Sequence, residues 1–304
     1  MTLDREATQY GAFRRRLQVL KMRGRSVREG YHDFQIRTGG LEVFPRLVAA
    51  EHTTSYARES IKSGLSGLDD LLGGGLARGT STLILGPAGT GKSSLAAQYA
   101  RAAAGRGDHS AIFLFDESIA TFMQRSEGLG FNIKPLVESG HLLVRQIDPA
   151  ELSPGELAGL IRATVEEHDT RVVVIDSLTG YLNAMPNERL LTLHLHELLS
   201  YLGRKGVTTI LLMAQHGLVG STTESPIDAS YLADTVVLLR FFESDARVCI
   251  AISVIKKRTG THERTIRELR FAKEAIVIGE PIMNFTGVLS GNPRLITEAR
   301  KPVS

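Results

Sequence analysis

Gly86-Pro87-Ala88-Gly89-Thr90-Gly91-Lys92-Ser93-Ser94 is the stretch that decides the fold. It fits G-x-x-x-x-G-K-[ST], the phosphate-binding loop, at every position. Its flanks agree: Thr82-Leu83-Ile84-Leu85 reads as a short buried strand, and Lys92 to Gly105 is an Ala-rich helix. The glycines let the backbone turn its N–H groups inward around a phosphate. The helix start adds unpaired donors and the positive end of its dipole. Gly86, Gly89, Thr90, Gly91, Lys92, Ser93 and Ser94 are therefore candidate nucleotide-binding residues. In that reading Lys92 reaches the β/γ-phosphates and the Ser93 hydroxyl ligates Mg²⁺, so ATP and Mg²⁺ are the implied cofactors. The competing reading is a Gly-rich strand-to-helix turn that binds nothing.

Downstream of the loop, strands and helices alternate. Ala111–Phe115, His141–Ile147, Val172–Asp176 and Thr208–Met213 read as strands. Between them Ser118–Gly128, a segment opened by Ser153 and Pro154 and ending near Asp169, and Glu188–Leu202 read as helices. Such alternation implies an α/β fold with a mainly parallel sheet and helices on both faces. After residue 234 the pattern turns β-rich, with strands at Thr235–Phe241, Arg247–Lys256, Arg267–Phe271 and Ala275–Ile278.

Three strand ends carry polar groups at the edge where open α/β sheets bind ligands. Asp176 closes an apolar strand and is placed to hold Mg²⁺ opposite Ser93. Asp116 and Glu117 follow Phe115, where a carboxylate can orient or deprotonate an attacking water or hydroxyl. Adjacent side chains diverge, so one of the two faces the γ-phosphate and the sequence leaves open which. Gln215 and His216 end the third, as a phosphate sensor or as solvated loop. His194 and His196 lie two apart on a helix and face different ways, so no structural metal is expected.

Composition bounds the rest. The chain has 304 residues, 42% of them apolar, a net charge of +3 and one cysteine, Cys249. A lone cysteine excludes an internal disulfide and suits a reducing cytoplasm. There is no 18-residue apolar run, and the start, Met1 to Glu6, lacks the apolar core of a signal peptide. Residues 1–48 hold ten Lys/Arg against five Asp/Glu, which leaves the remainder at −2. They also repeat a later segment at a constant offset of 235: Val19-Leu20-Lys21-Met22-Arg23 matches Val254-Ile255-Lys256-Lys257-Arg258. Phe34/Leu269, Ile36/Phe271, Leu41/Ile276 and Val43/Ile278 follow without a gap. Residues 1–48 thus read as the closing strands (Leu17–Leu20 and Leu41–Phe44 among them) of a preceding domain whose phosphate loop is absent. Their apolar positions, Val19, Phe34, Ile36, Leu41 and Val43, are expected to lack most of a core, making the segment weakly protected and dispensable for ATP turnover.

Gly64 to Ser94, Phe115-Asp116-Glu117-Ser118, Val173 to Leu178 and Ile255-Lys256-Lys257-Arg258 together resemble RecA-type ATPases of the KaiC family, bacterial circadian-clock ATPases and autokinases with two such domains in tandem. The resemblance runs from about residue 11 to 296. It implies a RecA-like P-loop NTPase divided as 1–48, end of a first domain; 49–61, linker; 62–286, ATPase domain; and 287–304, C-terminal tail. It implies a homo-oligomer, a six-membered ring with ATP between subunits, in which Lys256, Lys257 and Arg258 supply the basic run that reaches a neighbour's nucleotide. Asp116 and Glu117 match the family's catalytic pair, with Asp116 one methylene short and a further candidate Mg²⁺ ligand. The phosphorylated pair falls on Ser230 and Tyr231, with Ser225 a further candidate acceptor, and a nucleotide-side tryptophan is replaced by Leu129. A serine/threonine autokinase activity and a regulatory protein at the tail belong to the same expectation. Two rivals are a DNA-acting RecA relative and a nucleotide-gated scaffold. Gly217 to Asp234, at the ligand edge, has Glu224, Asp228 and Asp234 and no Lys or Arg, which argues against nucleic acid there.

Overall fold

In a computed structural model, β1 (Thr2–Glu6), β2 (Arg14–Gln18), β3 (His32–Arg37) and β4 (Gly40–Phe44) form an antiparallel meander. The structure describes residues 1–6, 11–183, 188–215, 231–272, 275–289 and 293–295. A 3₁₀ turn at Ala49–Glu51 leads to β5 (Ser60–Ile61), α1 (Ser66–Leu71) and β6 (Leu76–Ala77). Strands and helices then alternate as predicted through β7 (Ser81–Gly86), α2 (Lys92–Gly105), β8 (His109–Leu114), α3 (Ile119–Gly128), α4 (Lys134–Glu138), β9 (Leu142–Gln146), α5 (Pro154–His168), β10 (Thr170–Asp176), α6 (Leu178–Asn183), α7 (Glu188–Arg204) and β11 (Thr208–Ala214). The β-rich part is β12 (Thr235–Ser244), β13 (Arg247–Lys257), β14 (Arg267–Ala272) and β15 (Ala275–Pro281), followed by the pair β16 (Phe285–Thr286) and β17 (Arg294–Leu295).

The described residues from β7 to β15 form one sheet in the order β15-β14-β13-β12-β7-β11-β10-β8-β9. The six strands from β9 to β12 are parallel, and β13 to β15 extend the sheet antiparallel. Continuous apolar runs such as Val172–Ile175 are buried on both faces, as a covered parallel sheet requires. On one face α1 to α4 enclose Leu95, Phe122, Leu239 and Leu269; on the other α5 to α7 enclose Phe113, Ile161, Leu195 and Met213. Local chemistry sets the helix ends. The Ser153 hydroxyl accepts the Glu156 N–H at 3.2 Å, Pro154 fills the first turn, and Asp169 ends α5 in left-handed backbone at φ 47°.

The internal repeat is also a repeat of strand pairing. Phe34 pairs with Val43 and Ile36 with Leu41; 235 residues on, Leu269 pairs with Ile278 and Phe271 with Ile276. Arg16–Asp33 and Ala251–Glu268 correspond in the same way. The meander is nonetheless seated on the main sheet's helices. Asp33 Oδ2 accepts the Gly155 N–H at 2.7 Å, and Arg14 donates to the Pro149 carbonyl at 3.2 Å and to that of Leu152. Gln35 and Arg37 reach Glu156 at 3.2 and 2.7 Å. Of the five apolar positions expected to want a core, Phe34 is buried and Val19 half-buried, while Ile36, Leu41 and Val43 are exposed. The polar stretch after the meander is strapped down. The Ala49 N–H donates to Glu197 at 3.0 Å and the Tyr56 hydroxyl to the Gly203 carbonyl at 2.8 Å.

Candidate nucleotide-binding site

Parallel pairing brings the ends of β7, β8 and β10 to one edge, because Ala214 pairs with Gly86 and Asp176 with Leu114 in a continuous register. The phosphate loop, Asp116, Glu117 and Asp176 therefore converge on a cleft of about 670 Å³. Gly91 caps α2 in left-handed backbone at φ 86°, and a Cβ there would lie 2.1 Å from the Phe271 ring. A glycine is required twice over, by conformation and by space. Thr90 braces the loop by donating its hydroxyl to the Pro87 carbonyl at 2.8 Å.

Lys92 folds back onto the loop. Its Nζ donates to the carbonyls of Gly86 and Pro87 at 2.8 and 2.7 Å, and the residue is 9% exposed. Burial lowers its pKa to about 8, with Asp176 pulling the other way. Asp176 faces Ser93 across the cleft, and burial raises its carboxyl above the usual range. The Ser93 and Arg125 contributions oppose that rise, while Glu117 and Asp116 add to it. A hydroxyl and a half-buried carboxylate facing each other beside crowded like charges form an oxygen donor set that fits Mg²⁺. A divalent cation there would relieve the burial and repulsion that raise Asp176.

The two candidate bases are held differently. Asp116 accepts the Ser177 hydroxyl at 2.5 Å, and Gly180 leaves room for it, since a Cβ there would lie 2.5 Å from Oδ1. Glu117 is gripped by Arg125 through two bonds of 3.1 and 2.7 Å. Neither Arg125 nor Phe271 was legible as a site residue, because each arrives from a separate element and belongs to no motif. Leu129 lines the cleft as the resemblance implied. The Gln215 N–H donates to the Gly86 carbonyl at 3.1 Å, and its Oε1 is buried beside the loop without a partner among the described residues. His194 is half-buried on α7, its pKa lowered by burial, and His196 on the same helix is exposed.

The basic run sits elsewhere. β13 is antiparallel to β12, so Lys257 pairs with Thr235, which pairs with Thr82 at the start of β7. Lys256 to Arg258 are thus a strand's length, roughly 15–20 Å, from their own phosphate loop. Lys256 donates to the Ala233 carbonyl at 2.8 Å, and Arg258 contacts Asp234 at 3.4 Å and the Tyr231 carbonyl at 3.1 Å. Lys257 points the other way, onto the Leu72 and Gly75 carbonyls, and burial lowers its pKa. Tyr231 is exposed. Ser225, Ser230, His216 and much of the tail lie outside the described residues.

A mainly parallel sheet whose phosphate loop faces carboxylates on the neighbouring strand ends defines a P-loop NTPase of RecA-like architecture. Residues 61–282 match the family model described as ATPase: KaiC, and the chain belongs to the KaiC ATPase family. It is 26% identical over 284 residues to the circadian clock oscillator protein KaiC of Acaryochloris marina, covering 93% of this chain and 54% of that protein. Identity to the Synechococcus elongatus protein of the same name is 25% over 288 residues, covering 95% and 55%. The circadian clock protein KaiC3 of Synechocystis is 27% identical over 286 residues, covering 92% and 55%. The chain spans about half the length of the curated relatives it matches.

Proposed function

We propose that this chain binds Mg·ATP in the cleft above the phosphate loop and hydrolyses it. The observation that carries the reading is the convergence of Lys92, Ser93, Asp176 and the Asp116–Glu117 pair at one sheet edge. Lys92 and the loop amides hold the phosphates, Ser93 and Asp176 hold the metal with Asp116 beside them, and Glu117 or Asp116 positions the water. A metal held by Ser93 and Asp176 would supply charge neutralisation at the phosphoryl oxygens. Lys92→Ala is the test: it should abolish nucleotide binding, because the other cation of the cleft, Arg125, is anchored on Glu117 and Ser94 and cannot take the place of Nζ inside the loop. Unchanged ATP affinity in the variant would remove the assignment.

The position of Lys256 and Arg258 supports a finer reading, a homo-oligomeric ring, hexameric by analogy, in which these side chains act on a neighbour's nucleotide. A cation on the far edge of the sheet cannot reach its own chain's phosphates, yet a head-to-tail ring would bring it to the next subunit's cleft. Within that ring we propose Ser230 as the acceptor of a serine/threonine autokinase, with Ser225 and Tyr231 as the further candidates. A regulatory protein at residues 287–304, a circadian role and a cytoplasmic setting, the last resting on the single free thiol of Cys249, complete the proposal. The unit boundaries proposed are 1–48, 49–61, 62–286 and 287–304; the family match over 61–282 supports the third.

A further inference from the structure

Arg125 lies on α3, eight residues beyond Glu117, and touches two sides of the cleft at once. Its Nε and Nη2 grip Glu117 at 3.1 and 2.7 Å, and its Nη1 donates to the Ser94 hydroxyl at 3.1 Å. The guanidinium rests 5.3 Å from the ring centroid of Phe122, itself buried in the core, while its own side chain stays 26% exposed. Ser94 follows Ser93 in the first turn of α2. The guanidinium therefore bridges the phosphate-loop helix and the carboxylate beyond β8, along the wall a triphosphate would follow. Three of its five N–H groups make these bonds, and two have no partner among the described residues.

Building on the nucleotide-site reading above, we propose that Arg125 is an exchangeable clamp. In the empty protein it neutralises and holds Glu117; when a triphosphate enters, the guanidinium transfers to phosphate oxygens and releases Glu117 toward the water. A guanidinium fork matches carboxylate and phosphate geometry equally well, so the exchange needs no change of hydrogen-bond pattern. The triphosphate brings more negative charge than one carboxylate, which gives the exchange its direction. Ser94 is a neutral partner and keeps the guanidinium beside the loop in both states. The rival account is a fixed brace, in which Arg125 ties α3 to α2 and never leaves Glu117.

Titrating Mg·ATP into nucleotide-free protein by calorimetry separates the two. Arg125→Ala should weaken ATP binding about ten- to hundredfold, the worth of a charge-assisted hydrogen bond, and Arg125→Lys should recover part by keeping charge without the fork. Glu117→Gln should tighten binding several-fold, because the guanidinium no longer has a competing anion. That gain should vanish in the Arg125→Ala/Glu117→Gln double variant. Affinity of Arg125→Ala within twofold of wild type, or a Glu117→Gln gain equal in both backgrounds, makes Arg125 a brace and overturns the clamp. Should Arg125→Ala fail to fold, absence of any gain in Glu117→Gln does the same. A wild-type chain that binds no nucleotide shows a flat titration and removes the site reading itself, and the clamp with it.

Discussion

The state of Lys92 makes the strongest quantitative demand on the site. Its ammonium group is buried, donates to the Gly86 and Pro87 carbonyls, and has its pKa lowered to about 8. A bound triphosphate surrounds it with negative charge and returns its pKa to at least the ordinary Lys range of about 10.4. The sign follows: the nucleotide-free protein loses its proton first, so binding above pH 8 requires proton uptake. Affinity is flat below the free-state value and falls as pH rises through it. With a free pKa near 8, about nine tenths of the lysine is charged at pH 7 and about one tenth at pH 9. Mg·ATP affinity should therefore drop about tenfold over that interval, close to 1.4 kcal/mol. Calorimetry in buffers of different ionisation enthalpy reads the same event directly, as uptake of roughly half a proton per nucleotide at pH 8. Affinity constant from pH 7 to 9, or net proton release, would refute a desolvated Lys92 and the nucleotide-contacting role drawn from it.

Mixing Arg258→Ala subunits with Lys92→Ala subunits should restore part of the ATPase activity, because some mixed interfaces combine an intact phosphate loop with an intact Arg258. Cations supplied across an interface are worth about 10³–10⁵ in rate, so no recovery in verified mixed assemblies counts against the ring. Intact-mass spectrometry after incubation with Mg·ATP should show phosphate on Ser230; stable phosphate only elsewhere, or none, defeats the autokinase proposal. Deleting residues 1–48 should leave turnover per folded site within about twofold, roughly 0.4 kcal/mol in barrier, because none of the described ones lines the cleft. The same deletion should lower stability. Asp33→Ala alone should cost about 1–3 kcal/mol in urea unfolding by stranding the Gly155 N–H, and a loss under 0.5 kcal/mol would mean the meander is not seated as described.

Residues 86–94 and their flanks specified a strand, a phosphate loop and a helix without help from the rest of the chain, because turn glycines, helix-start donors and apolar runs act over a few residues. The alternation around them determined the parallel sheet, and an offset of 235 related residues 1–48 to strands near the end of the chain, two segments that the structure pairs in the same register. The offset is legible because the side-chain period of a strand is two, so an apolar pattern fixes which face each residue takes. Where those elements come to rest against one another was not legible. The fork of Arg125 on Glu117, the Phe271 ring over Gly91 and the Asp33 carboxylate at the start of α5 join residues separated by helix turns or whole domains. So does the placement of Arg258 on the edge opposite its own phosphate loop, which depends on β13 running antiparallel to β12. Such contacts arise from how helices pack onto a twisted sheet and which strand edge each segment finds, and packing is a property of the assembled chain, not of any stretch within it.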